Sequence, residues 1–161
     1  MSDTPSLDAA IHFPLSELVV TSRKGPDGNL LPNQPDAAAL SCLLDLREGM
    51  LEPIRNLWGC PVRVTSAYRS HDVEMAVSGK DYGQHRLGQA ADLQPIGDLN
   101  IVEAYEMIWN SPLPYDQLIL EQSGTARWIH VSYVKGRDPR HMALYSPDAK
   151  SYAYYKPGVL T

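Results

Sequence analysis

The sequence predicts an α+β fold, and three observations carry that reading. Helical and strand-like periods are mixed along the chain without the regular βαβ alternation that builds a parallel sheet. The chain has 161 residues, 43% of them hydrophobic, which is enough for one domain with a real core and short for two. No repeat or low-complexity linker divides it. Residues 1–161 therefore read as a single domain, with a central antiparallel sheet and helices packed on it.

From Asp36, an N-cap after Pro35, the apolar positions Leu40, Leu43, Leu44, Met50, Leu51, Ile54, Leu57 and Trp58 recur at helical spacing. Pro53 lies inside this run and should kink or split it, because proline removes a donor and crowds the preceding turn. "PVRVTS", residues 61–66, alternates as a strand does, with "AYRS" as its exit loop. Ser70 caps a short helix that stops near Gly79, "KDYGQHRLG" is an irregular loop, and "QAADL" is a short buried strand. Asn100 and Glu103 form a capping-box-like start for "IVEAYEMIWN", a helix that ends before Pro112. "QLILE" and "WIHVSY" alternate on either side of "QSGTAR", which suits a hairpin. Beyond Tyr133, residues 134–161 are basic and then tyrosine-rich, with room for one more edge strand.

Composition removes several classes of function. Charged residues are 20% of the chain, the net charge is -5 and the Lys and Arg residues are scattered, so no basic stripe follows a phosphate backbone and nucleic acid is not an expected partner. "MSDTPSLDAAIHFPL" has neither a basic start nor an apolar run, and nothing later approaches a membrane span. The expectation is a soluble monomer, made in the cytoplasm without a signal peptide. Cys42 and Cys60 form no CxxC pair and read as buried free thiols.

The period of two in "WIHVSY" puts Trp128, His130 and Ser132 on one face, and in "QLILE" it puts Gln117, Ile119 and Glu121 on one face. If Glu121 pairs with Trp128, Ile119 sits opposite His130, and Glu121 and His130 become diagonal neighbours roughly 7 to 8 Å apart at the backbone. A carboxylate at that distance reaches a water beside an ion held by His130. His85, Asp92 and His130 together offer three metal ligands, leaving one place open in a zinc tetrahedron, the arrangement of a catalytic site. Singly, each residue also has an ordinary reading: His85 as a solvated loop residue, Asp92 as a strand-end hydrogen-bonder, His130 as a half-buried sheet residue, Glu121 and Arg69 as surface charges.

"GQHRLGQAADL" resembles the SxHxxGxAxD signature of the zinc D-alanyl-D-alanine peptidases, and "WIHVSY" looks like the segment that supplies their third ligand. "FPLSELV", "MLEPIRNLWGCPVRVTSAYRS" and "YDQLILE" look like the branch of that family found in phage and prophage cell-wall peptidases, so the resemblance covers roughly residues 13–133. It implies a hedgehog/DD-peptidase-like fold and a zinc-dependent peptidase acting on peptidoglycan stem peptides after release by lysis, a holin or virion delivery. One Zn2+ per chain is implied, held by His85, Asp92 and His130. Arg69 matches the arginine that steadies the substrate carbonyl.

Relatives that carry an acidic residue three positions before the last histidine differ from this chain, which has Arg127 there, so Glu121 takes the role of general base. The family's serine two places before the first histidine is Gly83 here, which weakens the case for a strict carboxypeptidase and leaves endopeptidase cleavage within a stem peptide open, with the D-alanine linkage the first expectation for the bond. Gln84, Tyr82, Ser66 and Trp128 are the expected substrate-binding residues. Two other readings compete: a non-catalytic zinc-binding interaction module of the same fold, and a metal-free phage structural component.

Overall fold

In the computed structural model, which describes residues 12–159, the helical run after Asp36 divides in a way that Pro53 explains. Asp36 caps α2 (Ala37–Leu46) by accepting from the Ala39 N–H at 2.8 Å. A π-helical turn, Arg47–Leu51, follows, and α3 (Glu52–Trp58) starts with the proline in its first turn. Pro53 has no N–H to give, and the wider turn moves the ladder past it: the Glu52 N–H reaches five residues back to the Arg47 carbonyl. Gly49 lies in this turn with the Tyr133 ring against it, and a Cβ there would stand 2.5 Å from a ring carbon.

The remaining elements are a short α1 (Leu15–Leu18), β1 (Val62–Ser66), α4 (His71–Ser78), β2 (Ala90–Pro95), α5 (Ile101–Trp109), β3 (Gln117–Ser123), β4 (Ala126–Ser132), β5 (Met142–Ser146) and β6 (Ala153–Tyr154). Ser70 caps α4 through the Val73 N–H, and Asn100 caps α5 through the N–H groups of Val102 and Glu103. The β3–β4 hairpin is tighter than "QSGTAR" suggests: both strands extend until Ser123 pairs with Ala126, and Gly124, at φ +60°, takes the first central position of a two-residue turn.

The sheet has six strands in the order β1-β2-β4-β3-β5-β6. It is not wholly antiparallel, because β5 runs parallel to β3. The reason lies in where β4 ends: Val131 pairs with Leu118 near the start of β3, so a chain leaving β4 and crossing to the far side of β3 enters at that same end. Residues 134–161 thus supply two strands to the sheet, with β6 at the edge.

Register separates the two faces. Leu93, Ile129 and Leu120 form one apolar row across β2, β4 and β3, and Ala91, Val131 and Leu118 form the next. These residues are buried with Leu43, Leu46, Met50, Leu51 and Ile54 of the divided helix and with Tyr105 and Ile108 of α5. Burial of this size supplies most of the driving force for folding. The opposite face carries Asp92, His130 and Glu121. Cys42 and Cys60 are free, as expected, yet each is only half-buried, since neither points fully into this core. No helix among the described residues is long and apolar enough to cross a membrane.

Candidate metal centre

One row of the sheet positions most of the site. Ser66 pairs with Asp92, Asp92 with His130, and His130 with Ile119, so four strands bring these residues side by side. The register shifts between Val64 and Ser66, and the Thr65 hydroxyl at this irregularity donates to the Asp92 carbonyl at 3.3 Å. The small residues of "GQAAD" have their explanation here. Gly88, at φ +76°, lies where a Cβ would come within 2.5 Å of the Ala39 carbonyl oxygen of α2, and Ala90 and Ala91 are fully buried. A side chain at Gly88 would push the loop carrying His85 off the helix.

His85 is held from behind. Its carbonyl accepts from the Arg69 N–H at 3.1 Å, and its Nδ1 lies 2.7 Å from the Ala67 carbonyl oxygen. A carbonyl only accepts, so Nδ1 carries the proton, and in the neutral ring Nε2 is a bare lone pair. That nitrogen faces Asp92 Oδ1 at 3.3 Å, and His130 Nδ1 faces the same oxygen at 3.3 Å. The His85 lone pair and the Asp92 oxygen repel one another unless positive charge lies between them. The geometry therefore fits a cation: one ligand atom from each of the three buried residues lies within 4.8 Å of the others, and no other such group occurs among the described residues. Two imidazoles and one carboxylate are a donor set suited to zinc. His130 Nε2 is buried with no hydrogen-bond partner.

Burial by itself would raise the Asp92 carboxyl, but positive charge on the His85 and His130 side of it, the place a bound cation would take, outweighs burial and holds the group well below the usual carboxylate range. Asp92 Oδ2 accepts from Arg69 at 3.3 Å. The same guanidinium donates to Ser66 Oγ at 3.0 Å and to Glu74 Oε1 at 3.4 Å, so Arg69 is fixed at the edge of the donor set by three partners. Nothing in the sequence singled out Glu74. Its sign is its burial, since a lone carboxylate in a short helix becomes informative only once it is seen to be inside.

Glu121 pairs with Trp128, the pairing on which the expected register depended, and so lies diagonal to His130 on the same face. Burial pushes its carboxyl up to about 7; the Asp92 charge adds to the shift, while His130, a hydrogen bond from Trp128 and Arg69 oppose it. A carboxylate poised near neutrality beside a buried donor set has the properties of a general base.

Other expected substrate contacts are placed differently from one another. Ser66 is engaged with Arg69, and Trp128 with Glu121. Tyr82 is 68% exposed, with Lys80 Nζ 5.5 Å above its ring. Gln84 donates to Asp116 Oδ2 at 3.0 Å. Asp116 is itself buried and accepts from the backbone and guanidinium of Arg140 at 2.7 to 3.1 Å, bonds that hold its pKa down at about 2. This clasp joins the loop carrying His85 to the chain beyond Tyr133, a pairing that no local pattern around Asp116 or Arg140 announces. The remaining histidines among the described residues have other surroundings: His12 binds Glu52 at 2.7 Å, His71 binds Asp81 at 2.9 Å, and the His141 ring meets Tyr115 edge-on at 5.2 Å.

A family model described as Peptidase M15 matches residues 11–132, a span that includes all three metal-ligand candidates, Arg69 and Glu121. No curated protein matches the chain.

Proposed function

The chain belongs to the Peptidase M15 family, and from that premise we propose that it is a zinc-dependent peptidase that hydrolyses an amide bond in peptidoglycan stem peptides. The observation that carries the reading is the convergence of His85 Nε2 and His130 Nδ1 on Asp92 Oδ1, with the His85 proton committed to Ala67. His85, Asp92 and His130 would hold the ion. Zinc bound there would supply Lewis acidity, lowering the pKa of water to about 7 and polarising a carbonyl.

The protein's own groups supply the rest. Glu121 takes a proton from the attacking water as the water oxygen bonds to the carbonyl carbon. It then passes that proton to the amide nitrogen as the C–N bond breaks, so the amine leaves neutral. The Arg69 guanidinium, fixed by Ser66, Glu74 and Asp92, presents positive charge where the carbonyl oxygen becomes an oxyanion. Because its partners hold it before substrate arrives, little reorganisation is needed during the reaction. One chain carries the complete set of groups, so a monomer suffices. Access to the cell wall would follow release by lysis, a holin or virion delivery.

The test is digestion of purified peptidoglycan by the zinc-loaded protein, read by mass spectrometry. The expected result is a set of products from one stem-peptide bond that disappears on chelation and returns with zinc. A digest identical to the untreated wall would sink the reading, and the bond released would decide between carboxypeptidase and endopeptidase.

A further inference from the structure

Beside the donor set lies a groove of about 160 Å³, bounded by residues 20–23 after α1, by Thr65 and Ser66 of β1, and by Val73 and Val77 of α4. Arg69 also lines it, and the same guanidinium bonds Asp92, so groove and donor set are contiguous. The lining contains no acidic side chain and two arginines. Arg69 is already matched by Asp92 and Glu74. Arg23 is exposed, and its guanidinium has no hydrogen bond or ion pair among the described residues. In a protein of net charge -5, Arg23 is thus an uncommitted cation on a lining that carries no carboxylate.

The backbone that presents Arg23 is fixed. Its N–H donates to Thr21 Oγ1 at 3.1 Å, and its carbonyl accepts from Leu31 at 2.9 Å. Lys24 bridges to Leu30, and the Val19 carbonyl is held by Asn33 at 2.9 Å. A cation on such an arm loses little backbone freedom when it binds an anion. Val20, Val73 and Val77 give the same groove an apolar lining.

Resting on the peptidase reading, we propose that this groove is a substrate subsite that takes a peptide residue with a short aliphatic stem ending in a carboxylate, and that Arg23 is the group that selects the carboxylate. The carboxylate can belong to a side chain or to the free end of the peptide. The chemistry is the same in both cases: an N–H···O⁻ pair at the cleft mouth with apolar contact along the stem.

The experiment uses the zinc-loaded full chain and three matched peptides: one with both carboxylates free, one with the side-chain carboxylate amidated, and one with the terminal carboxylate amidated. The wild-type protein is expected to prefer the free acid over one of the amides by about tenfold in kcat/KM, chiefly through KM. Arg23→Gln should bring that ratio close to one, and Arg23→Lys should keep most of it. The amide that loses the preference names the source of the carboxylate. A preference that survives Arg23→Gln, or no preference for either carboxylate, overturns the subsite. If no peptide is cleaved, the peptidase reading fails, and the subsite is decided by NMR titration of the same peptides. An affinity for the free acid that Arg23→Gln lowers about tenfold supports it, and an unchanged affinity overturns it.

Discussion

His130 and Asp92 are directly paired residues on neighbouring antiparallel strands, and His130 Nδ1 faces Asp92 Oδ1 at 3.3 Å. Direct pairing lets the sheet itself set their separation, while His85 must be brought to them by a loop. Two of the three donors are therefore as rigid as the strands.

The first prediction concerns stoichiometry. The wild-type protein should hold one zinc per chain, and His130→Ala should lose it, as measured by metal analysis after dialysis. His12→Ala, His71→Ala and His141→Ala should each retain one, because these rings meet Glu52, Asp81 and Tyr115 and not the donor set. Full zinc in His130→Ala at wild-type affinity would show that the donors lie elsewhere.

Glu121→Gln preserves shape and removes the proton acceptor. Zinc content should stay at one per chain while kcat falls by about 10² to 10⁴. Turnover close to wild type would move the base to another residue. Asp116 is a poor replacement, because Arg140 and Gln84 already occupy its oxygens and hold its pKa at about 2.

The raised pKa of Glu121 has a consequence for the metal-free protein. Unfolded, this carboxyl ionises near 4.5; folded, burial delays ionisation to about 7. Between those values the folded state binds more protons than the unfolded one, so this group's contribution to stability declines as pH rises and levels off above about pH 7. Relative to Glu121→Gln, the wild-type chain should lose on the order of 3 kcal/mol across that window, measured by denaturant unfolding at each pH in the presence of a chelator. A constant difference between the two proteins would show that the carboxyl is not desolvated.

Asp116 should behave in the opposite sense. Its folded pKa lies below the ordinary 3.8, so its stabilising contribution is present above that value and is lost as pH falls through about 2. Asp116→Asn should destabilise the chain by roughly 1 to 2 kcal/mol at neutral pH and by progressively less in acid. Equal destabilisation at pH 7 and pH 2 would remove the charge from the explanation.

Two glycines of the His85 loop should respond differently to substitution. Gly88→Ala adds a methyl 2.5 Å from the Ala39 carbonyl oxygen at a φ of +76°, and should cost more than about 3 kcal/mol in thermal or denaturant unfolding. Gly83 has open space around it but a φ of +123°, so Gly83→Ala should cost only the backbone strain, about 1 to 3 kcal/mol. The family's serine therefore cannot simply be restored at position 83; its hydroxyl would arrive together with a rearranged backbone. Similar costs for the two variants would show that the approach of the loop to α2 is looser than the structure has it.

What the sequence made legible was whatever depends on period and local chemistry. Alternation placed Glu121 and Ile119 on one face of their strand and Trp128 and His130 on one face of theirs, leaving the register between the strands to the hairpin, and Asp36, Ser70 and Asn100 marked helix starts by the oxygen they could offer. Pro53 announced an interruption, though not its form as a π-helical turn. Pairings made by tertiary contact were silent. Glu74 beneath Arg69, and Asp116 with Arg140, are ordinary charged residues until folding brings them together. The parallel entry of β5 was hidden for a similar reason, since strand direction here follows from where the previous strand stops and not from any residue within β5.

That placement of β5 also governs how the protein meets copies of itself. β3 carries Glu121, and the family match ends at residue 132, the last residue of β4. Without the later residues, β3 would form the open side of the sheet, with the unpaired amides and carbonyls of an apolar strand, "QLILEQS", presented to any chain nearby. With them, that side is closed by β5, and the exposed margin moves to β6, which is only two residues long. The tyrosine-rich segment thus acts as a guard against strand-to-strand polymerisation, and a shortened chain ending at residue 133 should precipitate or form oligomers even if its metal ligands are all present.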